Sequence, residues 1–594
     1  MTSPRTFFET RLQEAREAEA KAQRQFNTLA IGRLTAFVVG IASAWWWNRS
    51  GDSIWGAVAL IALVIFLVLM RRQQAARTQR DFQRNLQHIN EDELDRLSFK
   101  FRREDTGEQY LERDHPYATD LDIVGKHSLY RLLNRTRTAE GSRRLAQWLN
   151  QHAPQEEVTK RQEAARELKQ AAEWRQQWEA TALLHEHAAQ HLGELRTWVN
   201  EPLPAPLQHS LRWRWWPVAT ILLGVLALID ILPAWPFWIS LLAHGVILKR
   251  FNDQLQSLTN RTTTLGHTLL AYADLLHLAE TAPYTSRWWA ERHSSIKGAS
   301  TSLRSLGGWF ARLDYRHHPF FVLLVGLPFL WDLHCLAAIE RWKQQYGSQL
   351  HAWLEALADA EALSSLAGFA FANPDYTEPH LLAETTVHIE ADTMGHPLIP
   401  ADKRVSNDFS LKGTGHTMLI TGSNMSGKST FLRTIGLNLV LAQMGAVVSA
   451  KRFVCIPVQV FSSMRTQDSL EESTSSFYAE LKRLRQLLLL AEDAQVPVFY
   501  LLDEILKGTN SADRHRGAEA LIRQLHPKQS AGLVSTHDLE LGQWGATQSY
   551  VQNFHFRSDV EDGQLSFDYR LHEGICQSFN ASELMRMMGI RVDL

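Results

Sequence analysis

Two short stretches of this sequence carry side chains whose types and spacing suit phosphate chemistry. Gly422-Ser423-Asn424-Met425-Ser426-Gly427-Lys428-Ser429, followed by Thr430, has the pattern of a P-loop. Glycines at 422 and 427 let backbone N–H groups turn onto phosphate oxygens at the positive end of a helix. Lys428 is then placed for the β- and γ-phosphates of ATP, and Ser429 for Mg²⁺. Farther along, the apolar run Val498-Phe499-Tyr500-Leu501-Leu502 ends in Asp503-Glu504. A continuous apolar run is what a buried parallel strand requires. Its two terminal carboxylates divide the work: Asp503 holds the Mg²⁺ shell and Glu504 polarises the attacking water. His537, in Thr536-His537-Asp538, follows another short strand and is placed to sense the γ-phosphate.

These residues need a scaffold, and the sequence supplies one. Thr417–Thr421 reads as a buried strand and Ser429–Gln443 as a helix, the order that a P-loop demands. From residue 385 to 594 the chain alternates short β-branched strands with Gly turns, predicting an α/β P-loop NTPase domain. Residues 155 to 210 and 250 to 315 are rich in Ala, Leu, Glu, Gln and Arg, predicting long helices. They fall within a helical core and lever region at 119–380. At 594 residues the chain is expected to be multidomain.

Leu34–Trp47 and Ile54–Met70 are apolar runs separated by Asn48-Arg49-Ser50-Gly51-Asp52, predicting a transmembrane hairpin at 29–72. A charged helical segment, 1–28, precedes it, without the pattern of a cleaved signal peptide. A linker is expected at 73–118. A second transmembrane hairpin is expected at 215–250, from Trp216–Leu232 and Phe237–Leu248 on either side of Pro233-Ala234-Trp235-Pro236. Tryptophans gather beside these runs, where an interfacial belt would hold them. Arg33, Arg71, Arg72, Arg212, Arg214, Lys249 and Arg250 flank the open ends. The positive-inside tendency then puts the ATPase domain on the cytoplasmic side of a multi-pass cell-membrane protein. Phe320–Trp331 is read as a core helix, since one more span would carry the ATPase domain away from ATP.

A formal net charge of -2 gives no whole-chain footprint for nucleic acid. Three scattered cysteines exclude a disulfide framework or a Cys-type zinc site, and fit a reducing compartment. His187 and His191, one helical turn apart, lack a third metal ligand.

The motifs resemble those of the MutS family of ATPases. Thr421–Thr430, T-G-S-N-M-S-G-K-S-T, is similar to that family's T-G-x-N-M-x-G-K-S-T, while Leu501–Asn510 and Ser535–Asp538 resemble its D-E-I-x-x-G-T-S and T-H segments. Ser128–Leu149 resembles the opening of its helical core, and Arg161-Gln162-Glu163 its R-Q-x motif. The resemblance implies an ABC/MutS-like nucleotide fold using ATP and Mg²⁺. It also implies a homodimer, in which Ser475, from Ser473–Phe477, reaches the partner's γ-phosphate in trans with Glu480 on the helix behind. Asn407 matches the asparagine of the base-binding loop, whereas Arg404 stands where the family stacks a Phe. Only the first hairpin and its flanks precede the core, so mismatch reading is not expected. The second apolar hairpin takes the place of the DNA clamp between the levers. The leading expectation is a membrane-anchored, MutS-like dimeric ATPase that moves helical levers, with a relation to mismatch repair through DNA binding. Alternatives are a tethered DNA-binding or recombination-associated protein, and a nucleotide-gated membrane scaffold that does not bind DNA.

Overall fold

The architecture comes from a computed structural model that describes residues 3–112, 114–185, 192–203, 208–209, 211–423, 425–464, 476–492, 494–561 and 564–576. His187 and His191 lie outside them. The first hairpin is built by α1 (Pro4–Ser50) and α2 (Ser53–Arg96). Ser3 caps α1 by accepting the N–H of Thr6, and Gly51, at φ 71°, ends it by donating to Trp47 O. Asp52 then caps α2 through the N–H of Ile54 at 3.0 Å. The polar turn between the apolar runs is therefore a paired C-cap and N-cap. Both helices continue far past the apolar runs, so segment 1–28 is largely one helix with the hairpin. The linker expected at 73–118 is likewise helical through Arg96. The reason is composition: Gln, Arg, Ala and Leu fill 73–96 without a Gly or Pro to stop the helix. Among the described residues, α1 and α2 are the two helices long and apolar enough to cross a membrane.

The second apolar pair differs. Its first helix, α6 (Trp216–Leu228), has 13 residues, about 20 Å of rise against a hydrocarbon core of about 30 Å. Its partner α7 (Trp235–Glu280) is apolar only near its start. The expected spanning hairpin at 215–250 is thus too short for a full crossing. The stretch read as a core helix, 320–331, is corrected as well. Pro319–Phe321, a π-turn at Val322–Gly326 and Leu327–Phe329 are followed by Leu330 at φ 46° and a bend of 73°. Phe320 is 82% and Leu324 68% exposed. Pro328 removes a backbone donor in mid-segment, which breaks the regular ladder.

Beyond that bend, α9 (Trp331–Ala372) forms the axis of the helical region, packing against α3 (Ala139–Asn150), α4 (Gln155–Gln170) and α8 (Ala299–Leu313). The hairpin base joins it through α5 (Ala172–Leu183) and a buried charge cluster. Glu93 of α2 accepts from Arg135 at 2.8 Å, and Glu179 of α5 from Arg137 at 3.2 Å. Burial pushes the Glu93 carboxyl up, yet Arg135 and Arg96 outweigh it and hold it below its ordinary value. Glu361 of α9 accepts the N–H groups of Arg137 and Thr138 at 3.2 and 3.3 Å, capping that turn.

The C-terminal region has two sheets. The smaller has the order β1 (His380–Leu381), β5 (Arg452–Cys455), β2 (His388–Met394), β3 (Asn407–Lys412). The larger has the order β12 (Leu571–Glu573), β9 (Val551–Phe556), β4 (Thr417–Thr421), β8 (Ser530–Thr536), β7 (Val498–Asp503), β6 (Gln459–Ser463). A two-stranded ribbon, β10 (Asp559–Glu561) with β11 (Gln564–Ser566), lies between β9 and β12 in sequence. All neighbours from β9 to β6 are parallel, and β4 and β8 are buried along their whole length. Helices α10 (Lys428–Met444), α11 (Ser476–Glu492), α12 (Ser511–Leu525) and α13 (Leu539–Gly545) complete this α/β unit.

Candidate active site

Strand register sets the site. Thr421 is level with Thr536, and Asp503 with Ser535. The chain therefore leaves β4, β7 and β8 at one common carboxyl edge, where open parallel sheets bind ligands. From β4 it enters the loop 422–427 and then α10. Gly422 and Gly427 have φ of 153° and 106°, and a Cβ on Gly422 would stand 3.1 Å from Phe556 O. A side chain at 422 would close the loop that these glycines open.

Lys428, 4% exposed at the start of α10, donates to the carbonyls of Gly422 and Ser423 at 2.8 and 2.9 Å. Burial depresses its pKa, partly offset by Glu504 and Asp503. Ser426 Oγ donates to Ser423 O at 2.8 Å and so shapes the loop, while the buried Ser423 Oγ has no hydrogen-bond partner. Met425 is 80% exposed at φ 75°. Asn424 lies outside the described residues. Ser429 Oγ donates to Asp503 at 2.6 Å, and Ser535 also donates to that carboxylate. A hydroxyl and a carboxylate side by side are hard oxygen ligands suited to Mg²⁺, and together with the glycine loop and the orphan Ser423 hydroxyl they fit a magnesium–phosphate group.

Glu504 sits just past the end of β7 at φ 49°, with Leu506 at φ 62°. Such left-handed backbone at two non-glycine residues costs energy and needs outside support. Two contacts supply it: Glu504 N–H donates to Ser535 O at 3.0 Å, and Glu480 of α11 accepts the Leu506 N–H. The Glu504 carboxylate lies 3.8 Å from Lys428, 3.2 Å from Lys507 and 4.0 Å from His537 Nδ1. Burial raises its pKa, but Lys507, Lys428 and His537 more than reverse this and keep it an ionised base. Arg514 Nη1 lies 3.1 Å from His537 Nε2, and the opposite ring nitrogen, Nδ1, faces Glu504. Ser475 lies outside the described residues; α11, which begins at Ser476, packs beside this turn. A Cβ on Gly508 would stand 2.6 Å from Phe477 Cβ.

A cavity of about 270 Å³ adjoins the loop, bounded by His396, Asn407, Gly427, Thr430, Phe431 and Tyr569 among others. Both ends of the Asn407 amide are engaged with backbone: it donates to Tyr569 O at 3.0 Å and accepts from Leu571 N at 2.8 Å. Arg404 turns away and donates to the Tyr376 hydroxyl at 2.7 Å. The aromatic wall is Tyr569, at φ 53°, whose ring carbon would lie 3.1 Å from a Cβ on Gly427. Sequence reasoning missed Tyr569, about 140 residues after the loop; its aromatic type was the only signal. It also missed His396, whose pKa falls to about 4 through burial and the charges of Arg433 and Arg404.

The ATPase unit is bolted to the helical region behind this edge. Asp120 accepts from Ser462 Oγ and Met464 N at 2.8 and 3.1 Å, and Asp122 pairs with Arg433 of α10 at 3.4 Å. Arg161 lies under the C-terminus of α10, where a Cβ on Gly445 would approach its own to 2.9 Å, and its guanidinium covers Trp148 at 3.9 Å.

Residues 418–591 match the family model described as MutS domain V. Over 240 residues the chain is 32% identical to the DNA mismatch repair protein MutS of Natronomonas pharaonis, covering 40% of this chain and 27% of the relative. Against MutS of Geobacillus thermodenitrificans identity is 29% over 270 residues, covering 44% and 29%. Against the endonuclease MutS2 of Bacillus velezensis it is 30% over 244 residues, covering 40% and 30%. The chain thus spans less than a third of the length of these curated relatives. Its α/β region from β4 onward is a MutS domain V, the P-loop ATPase domain of MutS-type proteins.

Proposed function

We propose that this chain is a membrane-anchored, MutS-like ATPase that binds and hydrolyses ATP as a dimer and transmits the cycle to its helical levers. The observation that carries the reading is the meeting of Lys428, Ser429, Asp503, Glu504 and His537 within about 4 Å contacts at one sheet edge. The loop amides and Lys428 take the phosphates at the start of α10. Ser429 and Asp503 hold Mg²⁺, which when bound neutralises charge on the phosphate oxygens. Glu504, kept ionised, accepts a proton from the attacking water, and His537 stands beside that carboxylate at 4.0 Å, facing the γ-phosphate side. Tyr569 and Phe431 flank the cavity that takes the base. Ser475 of each protomer completes the partner's site, and Glu480 ties that helix to the backbone turn carrying Glu504. Changes at the γ-phosphate then pass through Asp120, Asp122 and Arg161 into the helical region. The α1–α2 hairpin spans the cell membrane with the ATPase domain on the cytoplasmic face.

A second reading keeps DNA as the ligand, because the relatives named above are described as DNA mismatch repair proteins. One experiment separates the two. Phosphate release by the detergent-solubilised full chain is measured with and without perfect or mismatched duplex, from low to high salt. Hydrolysis that is independent of duplex, with no salt-dependent DNA binding, supports the membrane reading. Binding that falls steeply with salt supports the DNA reading. No hydrolysis under any condition sinks both.

A further inference from the structure

The lever tip is built inside out. Thr220 of α6, Ser240 and His244 of α7 are 2%, 7% and 0% exposed, yet they are polar. Trp216 Nε1 donates to Ser240 Oγ at 2.8 Å, Thr220 and Ser240 share a hydrogen bond of 2.6 Å, and Thr220 bonds His244 Nε2 at 3.1 Å. His244 Nδ1 donates to Leu327 O at 3.1 Å, so it satisfies a carbonyl in the broken 319–329 segment. One internal polar chain thus clamps three apolar segments together. Their outer faces carry Leu228, Ile231, Trp235, Leu242, Phe320 and Leu324, all more than 60% exposed. In water this arrangement exposes a large apolar surface without reason. In hydrocarbon it is the expected one, since irregular backbone survives there only when its polar groups are satisfied within the protein.

The base of the tip has the opposite character. Arg212, Lys249, Arg250 and Arg312 are exposed there, beside Trp213 and Trp215. Cations and indoles at one level match the anionic headgroup layer of a bilayer.

The tip also points the same way as the first hairpin. Phe8 of α1 packs on Phe371 at the C-terminal end of α9, with ring centroids 5.7 Å apart. From there α1 follows α5 in the same direction, Arg11 bonding Gln176 and Ala15 packing with Ala180. In turn α5 runs opposite to α9, from Arg175 over Phe371 to Glu179 beside the Arg137–Glu361 turn. So α1 sets out towards the N-terminal end of α9. Its apolar run begins about 40 Å along α1 from that contact and the tip at Trp331 about 60 Å along α9, so the two share one bilayer when α9 leans about 50° from the normal with α1 upright.

We propose that residues 213–248 and 319–329 form a wedge embedded in the same bilayer that α1 and α2 cross. The wedge enters from the ATPase side and returns to that side. At about 20 Å of helix it stops short of the far aqueous phase. Asp230, two residues past the end of α6 at φ 58°, is the one acid in these segments. ATP-driven lever motion would then act directly on the lipid around this wedge. The proposal rests on the membrane-anchored reading given above.

The test uses the full chain in its native membrane, with single thiols at Ser50→Cys, Ile231→Cys and Asp253→Cys. The three native cysteines are buried, so labelling reports the introduced thiol. A membrane-impermeant maleimide is applied to right-side-out and to inverted vesicles. Ser50→Cys should label only from the far side and Asp253→Cys only from the ATPase side, while Ile231→Cys labels from neither until detergent is added. Labelling of Ile231→Cys from the far side means that the tip crosses, and from the ATPase side that it stands in water or on a soluble partner; either overturns the wedge. If Ser50→Cys is not labelled from the far side, the anchored reading itself fails, whatever Ile231→Cys does.

Discussion

The nucleotide edge and the lever tip solve the same problem with opposite polarity. In the ATPase unit, apolar strands β4, β7 and β8 are sealed inside, and charge is confined to their carboxyl ends, where Lys428, Asp503 and Glu504 lie in contact range. At the tip, Thr220, Ser240 and His244 are sealed inside and the apolar side chains face out. With the tip in lipid, as proposed above, burial follows the surrounding solvent: water selects a dry core with polar rims, and lipid selects a polar seam with an apolar rim. The helical region between them is a third case, because it buries charge.

The comparison breaks most visibly at the hairpin. Leu60 and Val64 of α2 are 63% and 53% exposed. Arginine at either costs about 3 kcal/mol in the hydrocarbon centre. Leu60→Arg with Val64→Arg should move the chain from the carbonate-resistant membrane fraction to the supernatant, with hydrolysis retained. Unchanged fractionation would mean that this apolar surface faces something other than lipid.

At the nucleotide edge the effect is confined to rate. Glu504→Gln keeps shape but removes the base, and should lower single-turnover phosphate release by about 100-fold or more while ATP still binds. Lys428→Ala should lose binding as well. A Glu504→Gln variant that hydrolyses normally would shift the base to another group.

The buried charge of the helical region sharpens the contrast through pH. Burial raises the Glu361 carboxyl to about 7 from an ordinary 4.5, opposed by the Thr138 and Arg137 hydrogen bonds. Because the folded state binds the proton more tightly than the unfolded state, stability is greatest below pH 4.5 as far as this group decides. It is lost as pH rises towards 7, by about 3 kcal/mol in all. The melting temperature of the wild type should therefore fall between pH 5 and 8 more steeply than that of Glu361→Gln. Parallel profiles would assign the slope to other groups.

What could be read from the sequence follows the range of the forces involved. The P-loop and Asp503-Glu504 are each a contiguous motif, because phosphate and metal chemistry fixes residue types at fixed spacing, and the structure brings the two to one edge. The turn of the first hairpin was legible as the polar run Asn48-Arg49-Ser50-Gly51-Asp52, and the structure shows that it caps both helices. The break at 319–330 was not. Apolar composition says that a segment avoids water, but whether it packs in a core or faces outward depends on His244, some 80 residues earlier. Continuation of α2 to Arg96 was missed because a polar helix was read as a linker. The helix its polar end packs on, α5, is distant in sequence.

The smallest effect tests the base wall. Arg404, at the position where the family stacks a Phe, is committed to Tyr376, with its guanidinium 5.4 Å from that ring. Tyr569 takes the exposed side of the cavity beside Gly427, held there by the Asn407 clamp on its carbonyl. A ring on a purine face contributes about 1–3 kcal/mol, so Tyr569→Ala should weaken ATP binding about tenfold. The maximal rate should stay near wild type, since the residue touches none of the reacting groups. Tyr569→Phe keeps the ring and should bind normally. If Phe weakens binding as much as Ala, the hydroxyl is what matters. If neither changes affinity, the base lies elsewhere and Tyr569 serves only to cover the loop at Gly427. Titration with a fluorescent ATP analogue, alongside an analogue lacking the purine, separates these outcomes, because only loss of stacking makes the Ala variant indifferent to the base.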